Sequence, residues 1–388
     1  MFQIPGIDYK AVVAACDFSP KIEEELLDFC GRTITKPQRT VRRKNVVGQK
    51  TIEARLYGIT SSIKTLVEIG FSIKSLQNVG EKHIQALHSV WTEEGGKHAL
   101  SPARIHNLNC FLRLYFETHL GKRGLVKNVS EYAQNCKRVY VAENDKSWIG
   151  NEIDAHSLIA KIESDGPLGV IVARQLELCY SFGLRVEESW LARPVELLNQ
   201  ALDKEHLRIE HGTKGGRARF VPVTDLIQLD VLLRAAPLAK HDKSSMIPST
   251  HTLARWDSTF YRIVRKHGVT RKTTEGGLGV TVHGLRHQYV HDLYRRLTGH
   301  EPPVRGGHDV DRDIYRASLK TLIEAVGHSD VRKAGAYLST PTVMRRLRGL
   351  AAQLVEPEPI AGPSAHNAPL VASRVPAPAA PHISRECK

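Results

Sequence analysis

No G-x-x-x-x-G-K-S/T phosphate loop occurs in this 388-residue chain, so nothing points to an ATPase. H-E-x-x-H is missing, as is any C-x-x-C pair, which removes the commonest zinc signatures. The cysteines (Cys16, Cys30, Cys110, Cys136, Cys179 and Cys387) are too sparse for a disulfide framework and suit a reducing compartment. No evident set of carboxylates suggests a two-metal nuclease. The N-terminal MFQIPGIDYKAVV lacks a charged region followed by an apolar run, so no signal peptide is expected. No stretch reaches the apolar length needed to span a bilayer. The expectation is a soluble, cytoplasmic protein with no membrane partner.

Acidic residues are also in short supply. Lys plus Arg number 55 against 41 Asp plus Glu, a formal net charge of +14. That balance favours a polyanion, because each cation set on a phosphate releases condensed counterions. With 41% hydrophobic residues there is still material for ordinary cores. The chain divides into 1–51, an extension ending in a basic arm; 52–125, a helical bundle; 126–160, a linker; 161–355, a second, larger domain; and 356–388, a Pro/Ala-rich tail expected to be disordered. Within the first part, Ser19–Phe29 reads as a capped amphipathic helix. Gly31–Thr51 carries seven basic residues, among them Arg39, Arg42, Arg43 and Lys44, and no acidic one, which suits an arm on DNA phosphates. Helical spacing recurs in Ile52–Ile69, Ile84–Trp91 and Ile105–His119, with basic residues such as Lys64, Lys74, Lys82, Lys97 and Arg113 interleaved.

The second half reads as mainly helical with one small antiparallel sheet. Leu207–Glu210 and Ala218–Val223 flank the turn Gly212–Gly216 as a hairpin. Helices are expected at Pro167–Phe182, Thr224–Ala236, Leu253–His267, His283–Leu297, Ile314–Val326, Asp330–Leu338 and Thr342–Leu354, with a loop over Thr298–Asp313. His283, His287 and His291 share one helix face and could ligate zinc, but Arg286 among them disfavours a cation. Arginine and histidine without a metal point instead to phosphate. A guanidinium is planar, permanently charged and binds two oxygens at once. Two of them can stabilise the charge of a pentacoordinate phosphorus. Such a site also needs a nucleophile, and a tyrosine suits a reversible transfer because its ester can be displaced again by a hydroxyl. A lysine at a hairpin tip can reach over to protonate the leaving oxygen.

Four strings then carry a resemblance. GLRVEE (183–188), GTKGGRARFVPV (212–223), HGLRH (283–287) and GHSDVRKAGAY (327–337) resemble, in order, the active-site boxes of the tyrosine recombinases, the phage-integrase family. Arg185 matches the first arginine, with Glu188 at the acidic position after it, and Lys214 the hairpin lysine. His283 and Arg286 match the H-x-x-R pair, His328 the third-box histidine, and Tyr337 the tyrosine. The resemblance covers about residues 165–345; the 52–125 bundle is similar to the family's core-binding domain only in size, helicity and position. The distance from Arg286 to His328 is longer than the compact family pattern, with the extra length assigned to Thr298–Asp313. Together with the basic arm, that loop is more similar to integrases of mobile elements.

The resemblance implies a helical core-binding domain plus a catalytic domain clamped around duplex DNA. Arg185 and Arg286 would bind the scissile phosphate, with His283 and His328 hydrogen-bonded to it and His283 taking the tyrosine proton. Lys214 would protonate the departing 5′ oxygen, leaving Tyr337 on the 3′ phosphate, with no cofactor, metal or ATP. A homo-tetramer on two specific sites would complete recombination on nucleoid DNA, with DNA-bending or directionality factors as further partners. The alternatives are type IB topoisomerase-like relaxation and a non-catalytic DNA-binding protein.

Overall fold

The structure, a computed structural model, describes residues 7–36, 47–272, 274–307 and 310–355, with side chains described to residue 349. The arm residues Arg39, Arg42, Arg43 and Lys44 lie outside the described residues, as do His308 and the 356–388 tail. Residues up to Met344 cluster as one unit and Arg345–Lys388 as another, of which the described part is the remainder of helix α16 (Pro341–Val355). Among the described residues no helix is long and apolar enough to cross a membrane.

Two hydrophobic cores lie in the first unit. The first gathers α1 (Tyr9–Ala14), α2 (Pro20–Arg32), α3 (Gln49–Glu68), α4 (Glu81–Thr92), α5 (Pro102–Arg113) with its continuation Leu114–His119, and the single turn α6 (Val129–Tyr132). Helix α3 shows why it packs. Ile52, Leu56, Ile59, Ile63 and Leu66 recur three or four apart and are all buried. Each such side chain, fully buried, contributes about 1.5–3 kcal/mol relative to exposure.

Helix α2 joins this core through Ile22, Leu26, Phe29 and Cys30, and Phe29 meets Tyr115 edge-on at 5.0 Å. The expected extension therefore contributes core side chains ahead of the arm. Lys64, Lys74, Lys82 and Lys97 remain exposed, whereas Arg113 donates to the Val126 carbonyl at 2.8 Å.

The second core gathers α7 (Ala155–Glu163), α8 (Pro167–Phe182), α9 (Val186–Leu191), α10 (Pro194–Asp203), the hairpin β1 (His206–Ile209) and β2 (Arg219–Pro222), α11 (Leu226–Ala235), α12 (Leu253–Lys266), α13 (Val282–Thr298), α14 (Arg312–Ala325) and the short α15 (Gly335–Leu338). Helix α8 lies at its centre, packed on α7, α11 and α13. Pro167 starts it at a position where a missing N–H costs nothing. Gly183 ends it in the left-handed conformation, φ +58°, and a Cβ there would lie 2.3 Å from the Tyr289 ring. The hairpin pairs Leu207 with Val221 and Ile209 with Arg219. Strand alternation therefore turns Arg219 inward beside Val221, a direction that decides its role below.

The stretch 126–160 is not the free linker that its polarity suggests. Val126 and Val129 are buried in the first core, Trp148 in the second, and α7 begins inside the stretch at Ala155. Asp154 caps α7 by accepting from the His156 and Ser157 amides, and Ala155, Leu158, Ile159 and Ile162 form its buried stripe. A few isolated apolar anchors fix this connector without giving it a periodic pattern.

Candidate active site

The buried end of α8, the start of α13 and the end of α14 meet at one place. Arg185 follows Gly183-Leu184 as the N-cap of α9, and its amide donates to Glu188 Oε2 at 2.7 Å. Its guanidinium donates from Nη1 to Glu188 Oε1 at 2.6 Å and from Nη2 to the Val326 carbonyl at 3.1 Å. Arg286, one turn into α13, donates from Nη2 to that same carbonyl and from Nη1 to the Gly183 carbonyl. The two arginines thus converge on the last turn of α14, immediately before Gly327-His328.

Tyr337 enters from α15. Its hydroxyl accepts from Arg286 Nε at 3.1 Å, and the guanidinium carbon lies 5.9 Å from its ring centre. Around the ring stand His287 at 4.8 Å, His283 at 6.3 Å and His328 at 6.3 Å between centroids. Lys214 is exposed in the turn between the hairpin strands, and its charge is felt at His328. Five of the six expected residues are therefore packed around one point, with Lys214 at its open side. The Arg286 side chain has no solvent exposure, so a phosphate reaches its Nε only by displacing the Tyr337 hydroxyl.

Glu188 and Arg219 lie beneath this group. Glu188 is fully buried and also accepts from Arg219 Nη2 at 2.8 Å, while Arg286 Nη1 lies 3.8 Å away. Arg219 further donates to the carbonyls of Ala325 and Gly183. Three guanidiniums around one carboxylate leave the place net positive, which suits an anion. Residue spacing gave Arg219 no distinct role. Its inward register opposite Ile209 was the available signal.

The electrostatics follow. Enclosure by protein, then the charges of Arg286 and Arg185, lower the His283 imidazole to about 4, although its outer edge is open to solvent. Burial, then Arg185, Arg286 and Lys214, lower His328 to about 4. Both rings are neutral at pH 7 and can accept a proton. A bound phosphate brings negative charge and would raise both. Burial likewise lowers Arg286 to about 10, which leaves it cationic at neutral pH.

His287 is buried, and its Nδ1 has no hydrogen-bond partner among the described residues. Burial, then His283, His291 and Lys146, lower it to about 3 against the pull of Asp145. The sign is that of a base disfavoured when charged. Stability is undiminished above the unfolded value near 6.5 and falls as pH drops toward 3, because only the unfolded chain takes up the proton. The slope for this group is about 1.4 kcal/mol per pH unit at most. Urea midpoints measured from pH 7 to 4 should fall less steeply in His287→Gln; equal slopes would refute this assignment.

Of the zinc-spaced histidines, His283 and His287 face Tyr337, and His291 Nε2 lies 2.9 Å from the Tyr337 carbonyl. No cluster of three metal-ligating side chains occurs among the described residues. His300 is exposed at the end of α13. The Thr298–Asp313 loop buries Pro303 and Val304 and sends Arg305 to Asp145 at 2.8 Å, so its described part is docked rather than loose. An open groove of about 510 Å³ runs from His328 past Arg217 and Lys320.

The family model described as Integrase matches residues 155–292. The tyrosine recombinase XerD of Pseudomonas aeruginosa is 26% identical over 211 residues, covering 52% of this chain and 60% of that protein. The chain thus spans less than two thirds of the curated relative that it matches. Among solved structures, the XerH site-specific recombinase bound to its difH substrate superposes with a TM-score of 0.50 at 15% identity, covering 92% of this chain and 99% of that one. The Tn1549 transposon integrase in complex with circular intermediate DNA gives 0.45 at 17% identity, over 81% and 98%.

Proposed function

We propose that this chain, which belongs to the integrase family of tyrosine recombinases, cleaves and rejoins DNA strands at specific sites through a 3′-phosphotyrosyl intermediate. The observation that carries the reading is the Arg286 Nε to Tyr337 Oη bond, with Arg185 held on the same carbonyl as Arg286. A nucleophile already rests on a cation that a scissile phosphate would take over. The complex of the similarly folded XerH site-specific recombinase with its difH substrate supports DNA as the partner.

In the proposed step, Arg185 and Arg286 hold the non-bridging oxygens and the Tyr337 hydroxyl leaves Arg286 for phosphorus. Its proton passes to neutral His283. The P–O5′ bond breaks, and the leaving oxygen takes a proton from Lys214. His328 donates a hydrogen bond to the phosphate. A 5′ hydroxyl from the partner strand then reverses the sequence, so the bond energy is conserved in the tyrosyl ester. Neither metal nor ATP enters this balance. The first core, with exposed Lys64, Lys74, Lys82 and Lys97, serves as the second jaw on the duplex, and the basic arm with Arg39, Arg42, Arg43 and Lys44 adds phosphate contacts. Four protomers on two sites complete an exchange that integrates or excises a mobile element, in the cytoplasm on nucleoid DNA, with bending or directionality factors as further partners.

The test uses a duplex selected for binding by this chain and nicked so that the released 5′ fragment diffuses away. With chelator present, a covalent protein–DNA complex should accumulate, and the DNA-linked peptide should contain Tyr337. DNA bound without any covalent product, or a linkage at another residue, would overturn the reading.

A further inference from the structure

The nucleophile's helix α15 is one turn long and cannot hold its own place. Two of its carbonyls are held from outside that turn. Ala142 in the connector donates its amide to the Gly335 carbonyl at 2.8 Å. His291 donates from Nε2 to the Tyr337 carbonyl at 2.9 Å. A carbonyl can only accept, so Nε2 carries the hydrogen. The other ring nitrogen, Nδ1, then carries no hydrogen and has no hydrogen-bond partner among the described residues; it lies 3.5 Å from Asp145 Oδ1 in the connector. Asp145 is itself fixed, accepting from the Ser147 amide and from Arg305 Nε, each at 2.8 Å. His291 is fully buried.

The connector also lies tight against α13. Trp148 donates from its indole to the Thr281 carbonyl at 2.8 Å. A Cβ on Gly284 would lie 2.7 Å from the Lys146 carbonyl and 2.8 Å from the Trp148 ring, so a side chain there would push the connector away. The Thr298–Asp313 loop closes the arrangement from the other side through Arg305.

We infer that His291 is a positioning residue that sets where Tyr337 presents its hydroxyl, and that the connector, which holds the Gly335 carbonyl through the Ala142 amide, acts as the splint of the nucleophile's helix. The extra loop between Arg286 and His328 thereby has a task. It pins Asp145, and with it the connector that holds the Gly335 carbonyl. Any shift of the connector as the two cores close on DNA reaches the nucleophile's helix through the Ala142–Gly335 hydrogen bond. This inference rests on the strand-transfer reading above.

The test separates positioning of the tyrosine from activation of the phosphate. Covalent-complex formation on the nicked duplex is measured in the full chain for wild type, His291→Ala and His291→Gln, the last retaining a donor near Nε2. Parallel proteins carry Tyr337→Ala and receive hydrogen peroxide, a small nucleophile that depends on the arginines but not on α15. His291→Ala should slow covalent-complex formation about 10²-fold, as expected when a reacting group is displaced by about 1 Å. His291→Gln should recover most of that loss. Peroxide cleavage in the Tyr337→Ala background should be unaffected by either change. Equal loss of both reactions in both variants, or no loss in His291→Ala, would overturn the inference. Absence of a complex in wild type itself would instead overturn the strand-transfer reading.

Discussion

Tyr337→Phe is expected to abolish the covalent DNA complex while leaving the fold and DNA affinity intact. The substitution removes one oxygen. The ring keeps its packing against His287 at 4.8 Å and against the Arg286 guanidinium. What is lost inside the protein is a single hydrogen bond from Arg286 Nε, which leaves a buried charged donor without its partner. That costs about 1–3 kcal/mol in the free protein. The DNA-bound state does not bear the cost, because a phosphate oxygen takes the vacated donor. Affinity for the site should therefore hold or tighten. Turnover should fall on the order of 10⁵-fold or more, as when an irreplaceable nucleophile is removed. Gel retardation and denaturing gels on the same samples read the two quantities separately. A covalent band that survives in Tyr337→Phe would mean that another residue attacks.

The residues that touch the proposed phosphate were legible because their chemistry is restrictive. Few side chains can bind a phosphorane, which narrows the candidates to arginine, lysine and histidine. Arg185, Lys214, His283, Arg286, His328 and Tyr337 were named from four strings that resemble the tyrosine-recombinase boxes, and the structure packs five of them around one point. What holds them was harder to read. Arg219 looks like one more basic residue until pairing with Ile209 turns it inward toward Glu188. His291 looked like a possible zinc ligand because helical spacing reports a shared face but not what faces it. Asp145 and Arg305 are 160 residues apart in sequence, and no local pattern connects them.

The fold shows the same division. Helices with long apolar stripes, such as α3 and α8, were plain, and the hairpin was marked by its glycine-rich turn. The connector was not, because it is held by a few isolated anchors. Trp148 holds the connector by one buried ring and one indole hydrogen bond. A window average over a polar stretch dilutes such an anchor, and only the packed structure reveals it. Helix α7 is the exception: Asp154 followed by Ala155, Leu158, Ile159 and Ile162 was a readable cap and stripe inside a segment judged polar as a whole.

The second large effect is expected at Glu188, on stability rather than chemistry. Among the described residues its carboxylate is the only acidic partner of Arg185 and Arg219, and it also lies 3.8 Å from Arg286. Both Arg219 and Arg286 are themselves buried, so water cannot replace it. Glu188→Ala leaves these cations facing one another and should cost about 3–5 kcal/mol, which is roughly a 10 °C fall in Tm for a domain of this size. Glu188→Gln keeps the volume and one acceptor but turns an amide toward a guanidinium, and should cost less. The pH dependence distinguishes charge from shape. Burial alone would raise the Glu188 carboxyl, but Arg219, Arg185 and Arg286 outweigh it and hold it below its ordinary 4.5. A carboxyl depressed in the folded state contributes stability that is present above pH 4.5 and is lost as pH falls through its folded value. Wild type should therefore lose this contribution below pH 4.5, and Glu188→Gln should not. The loss assigned to His287 starts near pH 6.5 and is common to both proteins. Urea unfolding of the two proteins across pH 7 to 3 would give curves that stay parallel above 4.5 and converge below it. Curves that remain parallel throughout would show that Glu188 acts by shape and not by charge.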